Sequence, residues 1–208
     1  MSRWEPNARG RLERAALELF TEQGFADTSV PQITARAGLT TRTFFRHFAD
    51  KREVLFAGED DLPVLVATMM ADAPGEFDPM TVIEQGLRTV AVTVFDGRRD
   101  ALLARKAIIQ SDETLREREL RKISALSEAI RAGFVSRGVD DLTATLTAEI
   151  SMMVFSVSLQ RWLGHDSDRS LTHILHDTLR ALRAVASPPS KESSHALTRH
   201  PSVHGAAR

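Results

Sequence analysis

Residues 39–48, Leu-Thr-Thr-Arg-Thr-Phe-Phe-Arg-His-Phe, put three aromatic rings and three cationic or titratable groups on one short segment. Arg42, Arg46 and His47 can pair with phosphate oxygens, and an arginine can donate two parallel hydrogen bonds to a guanine edge. The hydroxyls of Thr41 and Thr43 offer uncharged contacts of the same kind. Phe44 and Phe48 stand at i and i+4, one face of a helix, and are expected to point inward. Between Arg36 and Arg52 five cations, Arg36, Arg42, Arg46, Lys51 and Arg52, stand against the single anion Asp50. That local balance of +4 leaves −5 for the rest of a chain whose net charge is −1. A basic end on an acidic body is the electrostatic footprint of a nucleic-acid reader.

A second cluster, GHDSDRSLTHILHD, sets His173 and His176 at i, i+3, with His165, Asp166 and Asp177 close in sequence. That spacing can place two metal ligands on one helix face. No third ligand recurs at fixed spacing, so a metal-dependent enzyme is the weakest reading and no cofactor is expected. No serine sits in a nucleophile elbow, no glycine-rich phosphate loop appears, and no catalytic residue is nominated. The absence of cysteine removes disulfides, thiolate nucleophiles and cysteine metal ligands together.

The elements that position these groups are helical. Apolar residues recur with helical period throughout the 208 residues, and strand signals are nearly missing. A first helix is expected from about Asn7 to Gln23, with Leu12, Ala15, Ala16, Leu19 and Phe20 as its stripe and Gly24 as a left-handed cap. A second runs from Val30 to Ala37, with Ser29 and Gln32 at capping-box spacing. Gly38-Leu39 turns the chain, Thr40 caps a third helix to Phe48, and Asp50 caps a fourth to about Ala71. Two short helices joined at Ala37-Gly38-Leu39 form a helix-turn-helix, whose second helix enters a DNA major groove. Segment 71–79, rich in proline and glycine, is the clearest internal break. Five more helices follow at about 80–95, 100–110, 113–137, 140–163 and 170–186, giving an all-α fold of about nine helices. The stretch 142–164 is too interrupted by charge to span a bilayer and reads as a buried helix. With no apolar leader at the N-terminus, a soluble, cytoplasmic protein with no membrane contact is expected. Residues 187–208 lack periodicity and are expected to be disordered.

Residues 9–56, RGRLERAALELFTEQGFADTSVPQITARAGLTTRTFFRHFADKREVLF, resemble the N-terminal DNA-binding region of the TetR family of bacterial transcriptional regulators. The pattern met is AA..LF...G, then T[TS]V..I...AG, then [ST]..T.[YF].[HY]F..K...L. The resemblance implies a helix-turn-helix domain over 1–56 and a helical bundle for ligand binding and dimerisation over 57–186. It places Thr41, Arg42 and Thr43 at bases, and Phe45, His47 and Lys51 at the DNA backbone, with Ser29 and Arg46 as further DNA candidates. Phe45 departs from the family's usual tyrosine and so lacks its phosphate-binding hydroxyl. Arg3, Arg9 and Arg11 could form a minor-groove arm, although such residues are more often a plain terminus.

The implied function is a sequence-specific regulator of transcription. It would be a repressor released from a palindromic operator on double-stranded DNA by a small, largely apolar effector. A ligand-independent or protein-responsive DNA binder is the alternative. The resemblance also implies a homodimer. One recognition helix reads only a few base pairs, so two-fold pairing is the usual route to specificity. Candidate pocket residues are Phe95, Ile109, Leu126, Ile130, Phe134, Met152, Phe155 and Trp162. The basic run Arg116, Arg118, Arg121 and Lys122 would suit the phosphates of an acyl-CoA-like effector beside such a pocket.

Overall fold

A computed structural model describes residues 7–57, 62–164 and 169–187. Among them every regular element is helical. Helix α1 (Ala8–Gln23) buries the expected stripe, Leu12, Ala15, Ala16, Leu19 and Phe20. It starts where the Asn7 side chain accepts from the Gly10 amide at 2.9 Å. It stops at Gly24, whose φ of +89° suits glycine alone. Phe25 then folds back until its ring lies 5.1 Å from that of Phe20.

Helices α2 (Val30–Ala37) and α3 (Thr41–His47) make the helix-turn-helix. At the start of α2, Gln32 Oε1 accepts from the Ser29 amide and hydroxyl, both at 2.8 Å. The turn is set by Gly38 at φ +63°, with the Leu39 amide returning to the Thr34 carbonyl at 2.8 Å. This six-residue closure satisfies carbonyls that α2 leaves open. A further carbonyl, that of Ala37, accepts from Arg11 Nη2 at 2.6 Å.

The single helix expected from Lys51 to Ala71 is two. Helix α4 (Lys51–Leu55) ends at Phe56, and α5 (Leu62–Asp72) begins beyond residues 58–61, which lie outside the described set. Phe56, the first residue past α4, buries its ring to 1 % exposure under three cations of later helices.

The rest of the bundle is α6 (Pro79–Val90), a π-helical turn (Ala91–Phe95), α7 (Arg99–Ser111), α8 (Glu113–Ser136), α9 (Asp141–Leu163) and α10 (Leu171–Ala186). Asp78, Asp112, Asp140 and Ser170 cap α6, α8, α9 and α10 through their side chains. Segment 71–79 joins α5 to α6 within this bundle. Arg137 ties the end of α5 to this segment, donating to the carbonyls of Met70, Ala73 and Pro74 at 2.7–2.9 Å. The core around α1 to α4 extends over Ile108, Ile109 and Leu115 of α7 and α8.

Helix α9 departs from its expected burial. By length and composition it could cross a membrane, but within the bundle it packs small residues, Ala144, Thr147, Ala148, Ser151 and Ser158, toward its neighbours. Leu142, Leu146, Met153 and Val157 remain exposed, between 42 and 68 %. Their spacing puts them on one face of the helix.

Candidate nucleic-acid interface and the helical cavity

Helix α3 divides its side chains as its sequence predicts. Phe44 and Phe48 are buried, their ring centroids 5.5 Å apart. Thr41, Arg42, Phe45 and Arg46 are exposed. Arg42 and Arg46 make no ion pair among the described residues, so their donors face outward unused. Thr43 is half-buried, its hydroxyl 3.0 Å from that of the N-cap Thr40. Phe45 is 59 % exposed and rests edge-on against Phe44 at 5.4 Å, a large apolar surface beside two free cations. His47 is half-buried, and its Nε2 is buried without a hydrogen-bond partner in the fold. Ser29 is exposed at the start of α2, its hydroxyl tied to Gln32.

Lys51 is placed differently from a phosphate contact. Its Nζ donates to the carbonyls of Phe25, Ala26 and Thr28 at 2.7, 3.1 and 2.8 Å, and lies 4.5 Å from the Phe25 ring centroid. All three ammonium hydrogens are engaged in holding the α1–α2 loop. The basic patch is correspondingly narrower than composition suggests. Arg36 is gripped by both oxygens of Glu22 at 2.8–2.9 Å and approached by Glu18 at 3.5 Å. That hydrogen bonding holds the Glu22 carboxyl below the usual carboxylate range. Arg52 pairs with Asp50 at 2.6 Å. Local positive charge is therefore concentrated on Arg42 and Arg46. The minor-groove arm does not form from Arg9 and Arg11. Both lie in α1, Arg9 paired with Glu13 and Arg11 bound to Ala37, while Arg3 is outside the described residues.

A cavity of about 310 Å³ opens between α5, α6, α8 and α9. Of the candidate residues, Phe95, Leu126, Ile130, Phe134, Met152 and Phe155 line it. Ile109 instead packs into the N-terminal core, and Trp162 into the core against α10. The π-helical turn ends at Phe95 and so aims that ring at the cavity. Sequence reasoning missed the α5 wall, Val66, Met69 and Met70. Its signal was the apolar run from Leu62 to Met70, with no polar face for solvent. The polar lining is sparse: Asp72, Gln85, Thr89 and Ser151. Ser151 already donates to the Thr147 carbonyl at 2.8 Å.

Among the described residues no lysine or arginine lines this cavity. The basic run expected at its rim lies elsewhere. Arg116 donates to the Gln110 carbonyl at 2.6 Å, and Arg121 pairs with Glu117 at 2.5 Å. Arg118 and Lys122 stand over the Phe56 ring at 5.0 and 5.9 Å. Arg105 joins them at 5.1 Å, donates from Nε to the Leu55 carbonyl at 2.7 Å, and pairs with Glu119 at 3.0 Å. Burial alone would raise the Glu119 carboxyl, but the charges of Arg105 and Lys122 hold it below the usual range. The run is thus the junction between α4 and the bundle.

Among the described residues no three histidines or carboxylates converge at metal-binding distance. His173 Nε2 lies 4.0 Å from Asp177, and His176 Nδ1 lies 3.9 Å from Glu84. His165 and Asp166 fall outside the described residues.

Comparison with known proteins agrees with this geometry. Residues 13–57 match the family model described as bacterial regulatory proteins, tetR family. The HTH-type transcriptional regulator TcmR of Streptomyces glaucescens is 27 % identical over 186 residues, covering 84 % of this chain and 82 % of that protein. Among solved structures, Thermus thermophilus FadR, a TetR-family repressor in complex with lauroyl-CoA, superposes with a TM-score of 0.53 at 22 % identity. That match covers 95 % of this chain and all of FadR. The SmeT–triclosan complex gives 0.60 at 18 % identity, covering 84 % of this chain and 90 % of that one. The helix-turn-helix matched by the family model, the two-sided α3 and the all-helical bundle together make this chain a DNA-binding transcriptional regulator whose DNA-binding region, residues 13–57, is of the TetR type.

Proposed function

We propose that the chain is a cytoplasmic, homodimeric repressor that binds a palindromic operator and is released when a small, largely apolar effector fills the cavity. Residues 1–56 form the DNA-reading part in this account, and 57–186 the effector and dimerisation part. In each subunit α3 enters the major groove. Arg42 reads a base edge with Thr41 beside it, Arg46 meets phosphate, and Phe45 packs on a thymine methyl or a sugar.

Helix α8 is the observation that carries the reading. One continuous helix contributes Leu126, Ile130 and Phe134 to the cavity and, toward its start, Arg118, Glu119 and Lys122 to the Phe56 junction. A ligand that shifts α8 shifts the support of α4, and with it the α1–α3 unit. Such coupling is typically about 1–3 kcal/mol between sites.

The dimer reading is supported by the apolar face of α9. Leu142, Leu146, Met153 and Val157 on one face are more apolar surface than a monomer usually leaves in water. A second copy pairing α9 and α10 would cover it.

The effector reading divides between two precedents. FadR is in complex with lauroyl-CoA and SmeT with triclosan. A cavity of this size with no cation among its described lining residues favours a compact apolar molecule over a CoA thioester. The test is a panel of small apolar compounds screened first by thermal stabilisation and then against DNA. At least one compound that raises the melting temperature should also weaken operator binding. Stabilising compounds that leave DNA affinity unchanged contradict the reading.

A further inference from the structure

The last turn of α2 is tied to α1 at two places. Arg36 reaches Glu22 and Glu18, while Arg11 comes from the other direction and donates from Nη2 to the Ala37 carbonyl at 2.6 Å. At about 1.5 Å of rise per residue, Arg11 and Glu22 lie roughly 16 Å apart along the axis of α1. The two ties differ in strength. The Arg36 pair is exposed, where water and salt screen it, and such pairs contribute little. The Arg11 bond is part-buried and sets a full charge on a carbonyl that the end of α2 leaves without a helical partner. The guanidinium is also seated against the turn, since a Cβ on Gly38 would lie 3.0 Å from the same Nη2.

What the Arg11 bond fixes is the start of α3. From Ala37 the chain passes Gly38, held at φ +63°, and Leu39, whose amide returns to Thr34, and reaches the N-cap Thr40. Arg42 lies in the first turn of α3, between that chain reversal and the buried ring of Phe44. Phe44 and Phe48 hold the far part of the helix in the core, so the reversal sets its near end. Paired hydrogen bonds from an arginine to a base edge tolerate little displacement, because each weakens outside about 2.7–3.2 Å. A reversal freed from α1 lets Arg42 leave that range while α3 stays folded.

We propose that Arg11 is a positioning residue for sequence readout: it touches no DNA and sets the placement of Arg42 by clamping the Ala37 carbonyl. The proposal rests on the reading that Arg42 contacts a base edge.

The test is a thermodynamic cycle on the full chain with Arg11→Met, Arg42→Ala and both together. Each protein is titrated against the duplex that wild type enriches from random sequences. It is also titrated against the same duplex changed at the base pair whose preference Arg42→Ala loses. Arg11→Met should shrink the wild-type preference between the two duplexes about tenfold, within the span of one bidentate contact. In the Arg42→Ala background it should shrink the preference no further, because the residue it positions is gone. Arg11→Lys keeps a charged donor and should restore most of the preference. The salt slope of binding should be the same for every Arg11 variant, since no phosphate contact is lost. Circular dichroism checks the helicity of each variant. Should Arg11→Met not fold, Arg11→Gln, a shorter polar side chain, replaces it in the cycle with the same expectations. Full preference in the folded variant, with only its melting temperature lowered, makes Arg11 a structural brace and overturns the proposal. So does a further loss of preference in the Arg42→Ala background. A salt slope reduced by about one also overturns it, by placing Arg11 on a phosphate. If Arg42→Ala leaves every base preference intact, the base contact by Arg42 fails and the proposal falls with it.

Discussion

Arg105 of α7 donates to the Leu55 carbonyl at 2.7 Å while its guanidinium stands 5.1 Å from the ring of Phe56. One side chain thereby closes the end of α4 and pins the first residue after it. Its ion pair to Glu119 of α8 carries the same contact on to the cavity wall. Truncation to Ala should cost about 2 kcal/mol of folding stability, since a charged hydrogen bond and the pairing of a mostly buried carboxylate are lost together. The more informative readout is coupling. Phe56→Leu keeps an apolar plug but removes the ring face, and should reduce the effect of ligand on DNA affinity while each separate affinity changes little. Equal coupling in wild type and Phe56→Leu, measured by DNA anisotropy with and without a stabilising compound, would count against the junction as the route.

On the DNA face the account separates Arg42, Arg46 and Lys51. Arg42→Ala should lose about 1–3 kcal/mol on the preferred duplex and relax one base position. Arg46→Ala should weaken all sequences alike and lower the salt slope of binding by about one. Lys51→Met should leave that slope unchanged and appear as a lower melting temperature, because its ammonium binds loop carbonyls. Binding isotherms across a salt series distinguish the three, and a reduced slope for Lys51→Met would return that residue to the phosphate backbone.

Dimerisation should depend on the exposed face of α9. Leu146→Lys with Met153→Lys places two charges on surface already open in the single subunit, so helicity by circular dichroism should be retained. Analytical ultracentrifugation should show a monomer, and binding to a two-half-site duplex should fall by more than an order of magnitude as the second contact is lost. A variant that stays dimeric places the interface elsewhere.

Gly133 lets α5 lie close on α8. A Cβ there would meet Met70 Cγ at 2.8 Å, a separation that something must relieve. Gly133→Ala should therefore destabilise the chain by about 1–3 kcal/mol despite its better helix propensity, because the clash falls on Met70 Cβ and Cγ, next to the α5 backbone, and not on the free end of its side chain. Denaturant unfolding reads this directly, and an unchanged or raised midpoint contradicts the close packing.

Acid should loosen the helix starts. Asp78 is held below the ordinary carboxylate range chiefly by the Thr81 hydroxyl, Asp112 by that of Thr114 and Asp140 by Thr143, each with help from backbone amides. A carboxyl depressed by folding stabilises the fold above its unfolded pKa and loses that contribution as pH falls through its folded one. The melting temperature should therefore be level near neutrality and decline below about pH 4, where unfolded aspartates begin to protonate. Replacing Asp112 by Asn, which keeps a capping oxygen, should flatten the acid limb relative to wild type.

What could be read from sequence was what depends on neighbours in the chain. The polarity of α3, the Gly24 and Gly38 turns, and the Asp50 cap all follow from residues within one or two turns. What could not be read depends on distant partners. Nothing near Phe56 announces that Arg105, Arg118 and Lys122 will gather over its ring, so the break between α4 and α5 looked like continuous helix. Lys51 resembles a phosphate contact until the carbonyls of residues 25–28 are seen around its ammonium. The apolar face of α9 was legible as hydrophobic but not as exposed, because a core face and a partner-covered face have the same composition. Ile109 and Trp162 satisfied the same apolar criterion as the six cavity residues and differ only in which neighbour they meet.

The central claim is that two copies of α3 read a two-fold DNA site, and selection from random duplexes tests it most directly. After successive rounds with the full chain, the enriched sequences should contain an inverted repeat with half-site centres about one helical turn or a whole multiple of it apart. Arg42→Ala, carried through the same selection, should lose preference at one position in each half-site. Enrichment of an asymmetric single site, or of no sequence above background, would contradict the account.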